Sequence, residues 1–340
     1  MIYIDFNKNI LLTGAGFTAN FGAPLARQMW SKILNNTKIE NMPEVKKKLL
    51  SNFDFEQVYA DVLRSGSFSQ EDKESFNLIM IDAYSSMDET LKSYVHGGFQ
   101  QYGINWYGIS SFLQLFAGFS TKTGAHFTLN QDILLERAKA SMPLGIVPNT
   151  HRDYWDSFFS GQIDPNKKIT LYNDIELEAF KENNLPSSDK NYYIKLHGSH
   201  GWLSHSGKGG MVIGKNKVED IESEPVLKWY FELFEKSIYR HNINLIVVGY
   251  SFRDDHINKC ILKAVQEYGL KIYIISPEDP ETLKNRLHGK ISENLLYEVS
   301  NNKNIWEAIS GYFPYRLSEI YPKDQTITQV AKDLKKIIVN

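Results

Sequence analysis

The spacing of apolar residues changes period several times along the chain. Asn9-Ile10-Leu11-Leu12-Thr13 is a short, nearly unbroken apolar run that reads as a buried strand, and it runs straight into Gly14-Ala15-Gly16. Residues 24–35 read as the helix that follows. From 42 to 119 no strand pattern emerges. Val45, Leu49 and Leu50, then Phe55, Val58, Tyr59 and Val62, recur three and four residues apart, as on one face of a helix. Phe76, Ile79, Met80 and Ala83 repeat that spacing, as do Ile109, Phe112, Leu113 and Phe116. Alternation then resumes, with strands predicted at 125–129, 168–172, 192–196, 244–248 and 271–275. Helices are predicted at 132–138, 224–239, 254–268 and 280–287, and an amphipathic tail helix at 327–338.

Strands separated by helices of this length imply parallel βαβ units. The expected fold is α/β: a Rossmann-like parallel sheet flanked by helices, with an inserted helical module. The expected division is a nucleotide-binding domain from 1–41 with 120–290, the helical module at 42–119, and a C-terminal helical segment at 291–340.

Composition narrows the partners more than the fold. At 340 residues, 42% hydrophobic and 23% charged, the chain is ordinary for a globular protein. A net charge of −2 provides no pull toward nucleic acid or an anionic membrane, so no direct nucleic-acid binding is expected. The basic run Lys46-Lys47-Lys48 reads as a solvated helix face. Cys260 is the sole cysteine, which excludes an intrachain disulfide and a cysteine zinc cluster. The apolar runs at 245–248 and 272–275 fall far short of the roughly 20 residues a membrane span needs. The start of the chain lacks a signal-peptide pattern, so a cytoplasmic protein is expected.

Four strand ends carry candidate chemistry. Gly14 and Gly16 stand where glycines let a backbone approach a pyrophosphate, yet an ordinary tight turn explains them as well. No acid follows about 20 residues on to hold a ribose hydroxyl. Thr128-Leu129-Asn130-Gln131-Asp132 ends a strand; Asn130 can hydrogen-bond a ribose or a water, and Asp132 can accept from a carboxamide or cap a helix. Lys195-Leu196-His197-Gly198-Ser199 places a histidine, suited to proton transfer near neutral pH, at another strand end. Gly249-Tyr250-Ser251 ends the most apolar strand and leads into Phe252-Arg253-Asp254-Asp255-His256-Ile257-Asn258. There Asp254 or Asp255 reads as a cap and His256 as a first-turn residue. His96, His200 and His205 read as solvent-facing, and His126 as packed.

In order, these segments resemble the signature segments of the sirtuin-like NAD-binding family. Gly14, Gly16, Thr18, Gly22, Pro24 and Arg27 fall at the spacing of its first loop, and 252–258 look like the version in bacterial sirtuin-like defence proteins. Some positions depart: Leu25 and Ala26 replace the family's acid and aromatic, and Leu129 replaces its glutamine. The resemblance implies NAD as substrate, with Asn130 and His197 catalytic. Gly14, Ala15, Gly16, Thr18, Pro24, Arg27, Asp132, Gly249, Ser251 and Ser276 would contact the NAD. Deacylating sirtuins carry a four-cysteine zinc module and a peptide clamp after the histidine. Here one cysteine is present, and only Met211-Val212-Ile213-Gly214 stands at the clamp's place.

The function implied is therefore an NAD+ glycohydrolase that depletes NAD in antiphage defence by abortive infection, working without a metal. The alternatives are an NAD or ADP-ribose-derivative sensor without turnover and, less favoured, an NAD-dependent deacylase. An NADase needs restraint, which points to a partner; the resemblance implies a HerA-type ATPase or another phage sensor. Apolar residues in the helical module (Trp106, Tyr107, Phe112, Phe116) and in the tail (Ile327, Val330, Leu334, Ile338) point to a homo-oligomer.

Overall fold

The computed structural model describes residues 4–96, 104–118, 122–138, 144–146, 169–183, 191–207, 209–214, 216–289 and 303–339. Its centre is β1, Phe6–Thr13, in which Ile10, Leu11 and Leu12 are all fully buried. A strand apolar on both faces belongs in the middle of a parallel sheet covered by helices on each side. β1 pairs in parallel with β2 (Thr123–Thr128) on one side and with β8 (Asn244–Val248) on the other. Beyond β2 lie β5 (Asn191–Lys195) and then β3 (Leu144–Ile146). Beyond β8 lie β9 (Lys271–Ile275) and β10 (Ile309–Phe313). The order is β10-β9-β8-β1-β2-β5-β3, with each pairing parallel. The connections leave β1 and β8 toward opposite edges, so a crevice opens at their carboxyl ends, where open α/β sheets bind ligands.

Alternation along the strands divides the core. Leu11, Tyr193, Ile246 and Val248 share one cluster with α2 (Ala26–Leu34), α3 (Pro43–Ser51), α4 (Phe55–Arg64), α5 (Gln70–His96) and α6 (Trp106–Gln114). Ile10, Leu12, Phe127, Leu245 and Val247 face the other way. They meet α10 (Pro225–Ile238), α11 (Asp255–Tyr268) and α12 (Pro280–Leu287). The helical stretch after residue 42 thus covers one face of the sheet. Trp106, Phe112, Phe116, Leu334 and Ile338 are buried there, which leaves Tyr107 and Ile327 as the exposed members of the set that pointed to an interface. The tail helix α15, Gln329–Val339, is clasped at its end: Asn9 Nδ2 donates to the Ile338 carbonyl, and Asn244 Nδ2 donates to Asn9 Oδ1 at 2.8 Å.

Two regions differ from the sequence reading. The strand expected at 168–172 is β4, Ile169–Thr170, and it belongs to a separate three-stranded sheet with β6 (Gly198–Leu203) and β7 (Gly209–Met211). Within 291–340, expected to be helical, β10 extends the main sheet at its edge. Its half-buried sequence contains Gly311, where a Cβ would stand 2.8 Å from the Tyr273 ring. Among the described residues no helix is long and apolar enough to cross a membrane.

Candidate active site

The β1 and β8 ends touch through their backbones. Gly14 N–H donates to the Val248 carbonyl at 3.0 Å, and Gly16 N–H to that of Gly249 at 2.9 Å. A Cβ on Gly16 would lie 2.7 Å from Gly249 Cα, and one on Gly249 would lie 2.3 Å from Phe17 N. Gly249 also has φ +65°, the left-handed region that favours glycine. The glycines are therefore required by the crossing of the two loops itself. Thr18, on the short α1 (Ala15–Ala19), donates to the Ala15 carbonyl and faces Asn130.

Asn130 is buried and follows β2. Its Nδ2 donates to the Gly14 carbonyl at 3.0 Å and to Thr18 Oγ1 at 3.3 Å. Because a carbonyl only accepts, this bond fixes the amide orientation. Both donor hydrogens are spent on the protein, and Oδ1 is the atom left to accept from a ribose hydroxyl or a water. Asp132 is also buried, and its Oδ1 accepts from Leu134 N–H at 3.0 Å, the capping role open to it from sequence. No hydrogen bond to the second carboxylate oxygen is made among the described residues.

A buried ion pair anchors this turn. Lys195 Nζ lies 2.9 Å from Glu136 Oε1, on α7 (Leu134–Ala138), and donates to the Asp132 carbonyl. Gln131 ties the turn to the small sheet: its side chain donates to the Val212 carbonyl at 2.8 Å, and its own carbonyl accepts from Ser199 Oγ at 3.1 Å. His200 bonds that same carbonyl and stacks on Tyr84, so it is half-buried rather than solvent-facing. His205 is exposed, with Glu224 at 3.0 Å, and the side chain of His96 lies outside the described residues. His126 is packed as expected, with Nε2 2.9 Å from Thr13 Oγ1 and no partner for Nδ1 among the described residues.

His197 sits in the turn that joins the main sheet to the small one. Gly198 follows it at φ +68°, where a Cβ would meet the Gly210 carbonyl at 2.0 Å. The ring is buried, and its Nε2 stands 3.0 Å from His256 Nε2. That contact needs one Nε2 to donate and the other to accept, and either ring can take either role. Burial, reinforced by Lys217, holds the His197 pKa well below the usual histidine range. Burial likewise brings His256 down to about 4, against the pull of Asp254.

Asp254 stands at the N-cap of α11, but its side chain makes no capping bond. It reaches Lys217 Nζ at 2.6 Å, and Lys217 also meets Glu56 Oε2, from α4, at 3.2 Å. Burial works to raise the Asp254 pKa, but Lys217 holds it below the usual carboxylate range. Burial raises that of Glu56. Asp254, Lys217 and Glu56 were not candidates from sequence. Asp254 lay in a quoted motif, whereas Lys217 and Glu56 carry no local signal. The histidines show no ligand spacing along the chain, yet the fold gathers His197, Asp254 and His256.

The remaining candidates stand at the same edge or outside it. Ser251 is half-buried after β8. Phe252 beside it has φ +56°, a strained value for an aromatic, and its carbonyl accepts from Asn258 Nδ2 at 2.8 Å. Ser276 follows β9, and its Oγ accepts from Glu278 N–H at 3.3 Å. Ala15 and Arg27 are exposed and Pro24 half-buried; nothing among the described contacts joins Arg27 or Pro24 to Asn130 or His197.

A family model described as a SIR2-like domain matches residues 124–296, a stretch that holds Asn130, His197, Asp254 and His256. Curated protein sequences contain no match to the chain. Among solved structures, one titled as the crystal structure of a Sir2 homolog–NAD complex is similar at 13% identity. The likeness covers 97% of this chain and 90% of that one, with a TM-score of 0.42. On the extent of the matched domain, about half its length, the chain belongs to the SIR2-like domain family.

Proposed function

We propose that this protein hydrolyses NAD+ at the bond between nicotinamide and ribose, releasing nicotinamide and ADP-ribose. The observation that carries this reading is that Asn130 and His197, both buried, follow the ends of the paired strands β2 and β5. One offers a fixed acceptor oxygen, the other a neutral imidazole nitrogen. In the reaction the C1′–N bond breaks, and nicotinamide leaves as a neutral molecule. Asn130 Oδ1 orients a ribose hydroxyl or the attacking water. The water oxygen bonds C1′ while its proton passes to His197 Nε2 and then to solvent. Asp132 accepts from the departing carboxamide, and the loops around Gly14, Thr18, Gly249 and Ser251 hold the rest of the dinucleotide. Proton transfer contributes about 10²–10⁴-fold in such a step, and positioning can contribute more.

Water is favoured as acceptor over an acyl-lysine. Cys260 alone cannot build the deacylases' zinc module, and 211–214 lack their clamp residues. The biological role proposed is NAD depletion in antiphage defence, held in check by a partner such as a HerA-type ATPase and by homo-oligomeric assembly. Low turnover by the isolated protein, raised by that partner, is the corresponding expectation.

The test is nicotinamide release from NAD+ by purified protein. His197→Ala and Asn130→Ala are each expected to abolish it with the fold intact by circular dichroism. The lower limb of the pH–rate profile is expected below pH 6.5, because the folded histidine resists protonation. A folded His197→Ala protein with near-full activity would remove the assignment, and NAD binding without nicotinamide release, with or without a partner, would favour a sensor.

A further inference from the structure

His197 and His256 approach each other in a way the hydrolytic reading does not use. Their Nε2 atoms face at 3.0 Å, and a carboxylate oxygen of Asp254 joins them within a span of 4.8 Å. The three come from two separate elements, the β5–β6 turn and the start of α11. Phe231 packs on the His256 ring at 5.8 Å between centroids and helps fix its direction. Lys217 takes Asp254 Oδ1, while Oδ2 has no hydrogen bond among the described residues. Lys217 also serves Glu56, so two carboxylates there face one ammonium.

We propose that His197, His256 and Asp254 form a binding site for a divalent cation of the zinc type, and that its occupancy blocks His197. The blocking half rests on the function proposed above. Zinc-type ions hold imidazole nitrogen at about 2.0–2.1 Å and carboxylate oxygen at about 2.0–2.2 Å in a tetrahedron. Ligand atoms around such an ion stand about 3.3 Å apart. The two nitrogens already lie near that separation. The carboxylate oxygen has to approach by no more than about 1.5 Å, which rotation of the Asp254 side chain supplies. Three protein ligands leave the fourth position for water. Imidazole with carboxylate selects zinc or copper over magnesium and calcium, which prefer oxygen shells. The metal bond would use the lone pair of His197 Nε2, the same pair that accepts the proton of water, so metal and turnover compete for one atom.

Titration of EDTA-stripped full-length protein with Zn2+, competed against a chromophoric chelator, tests the site without reference to activity. Co2+ serves as an optical probe of the coordination. One Zn2+ per chain is expected, with affinity falling at least about tenfold in His256→Gln and in Asp254→Asn. Zn2+ should raise the melting temperature of the wild type but not of His256→Gln, a readout that also reports folding. Nicotinamide release by the wild type should fall with the midpoint of binding. Absence of saturable binding, or equal affinity in wild type and both variants, overturns the site. Zinc bound at full catalytic rate overturns the blocking. Binding lost in the variants, with no nicotinamide release from metal-free wild type either alone or with its partner, supports the site and refutes the hydrolase reading.

Discussion

Lys195→Met is the most informative single change for the frame of the candidate site. The side chains of Lys195 and Glu136 are 2% and 5% exposed, and the ion pair is 2.9 Å long. Methionine keeps the apolar stem but removes the ammonium. Glu136 then loses its counter-charge, the Asp132 carbonyl loses its donor, and the Tyr193 ring loses the cation 5.4 Å from its centroid. Stranding a buried charge costs about 3–5 kcal/mol. A lost charge-assisted hydrogen bond is worth about 1.5–3 kcal/mol and overlaps with that figure. A destabilisation of about 4 kcal/mol is expected at pH 8, measured by urea unfolding with an unchanged m-value. The stranded carboxyl can escape by protonation, since burial already pushes its pKa up. With the folded pKa above the unfolded one, the mutant's stability is fully retained at low pH and lost as pH rises. The deficit should therefore be smaller at pH 5 than at pH 8. Lys195→Met with Glu136→Leu should recover much of the loss, because the uncompensated charge is gone. A cost below about 1 kcal/mol, or a double variant no more stable than Lys195→Met alone, would refute the reasoning.

Two other changes probe the frame from different directions. Gly249→Ala forces a left-handed residue and puts a Cβ 2.3 Å from Phe17 N, so a loss of at least about 3 kcal/mol is expected by chemical denaturation; a near-native midpoint would contradict the loop crossing. His126 is wholly buried, and burial takes its pKa down to about 3. Against an unfolded value of about 6.5, the unfolded chain binds the proton first as pH falls. The wild type should therefore lose about 2 kcal/mol between pH 7 and pH 5 through this group, a loss absent in His126→Leu; identical slopes in the two proteins would exclude this role.

What could be read from the chain follows from where its energy resides. β1, β8 and β9 were legible because a strand buried on both faces is written as an apolar run. The helices packed against one face were legible from their spacing. β10 was not, because an edge strand with Ser310 and Gly311 and only partial burial carries no such run. β6 and β7 were hidden for a similar reason, their short glycine-rich segments being defined by antiparallel pairing. Asn130 and His197 could be named as candidates because local motifs at strand ends marked them. The Glu56–Lys217–Asp254 chain could not, since its members come from distant elements that meet only through packing. The apolar residues of 106–116 were legible as buried, but not what they were buried against.

The contact between the β1 and β8 loops has a consequence for how this protein can vary. Gly16 and Gly249 face one another backbone to backbone, and Gly14 stands against the Gly249 carbonyl and Tyr250 Cα. A larger residue at one position cannot be accommodated by a smaller one at another, since none is smaller than glycine. Relief has to come from the backbone, and the loops are bonded to the register of the two central strands. Paired substitutions give no way around this, in contrast to an ordinary core contact, where a gain in volume is balanced by a loss nearby. Any descendant that retains this crossing retains its glycines, whatever its activity. Their presence in a related sequence therefore testifies to the fold and not to an activity.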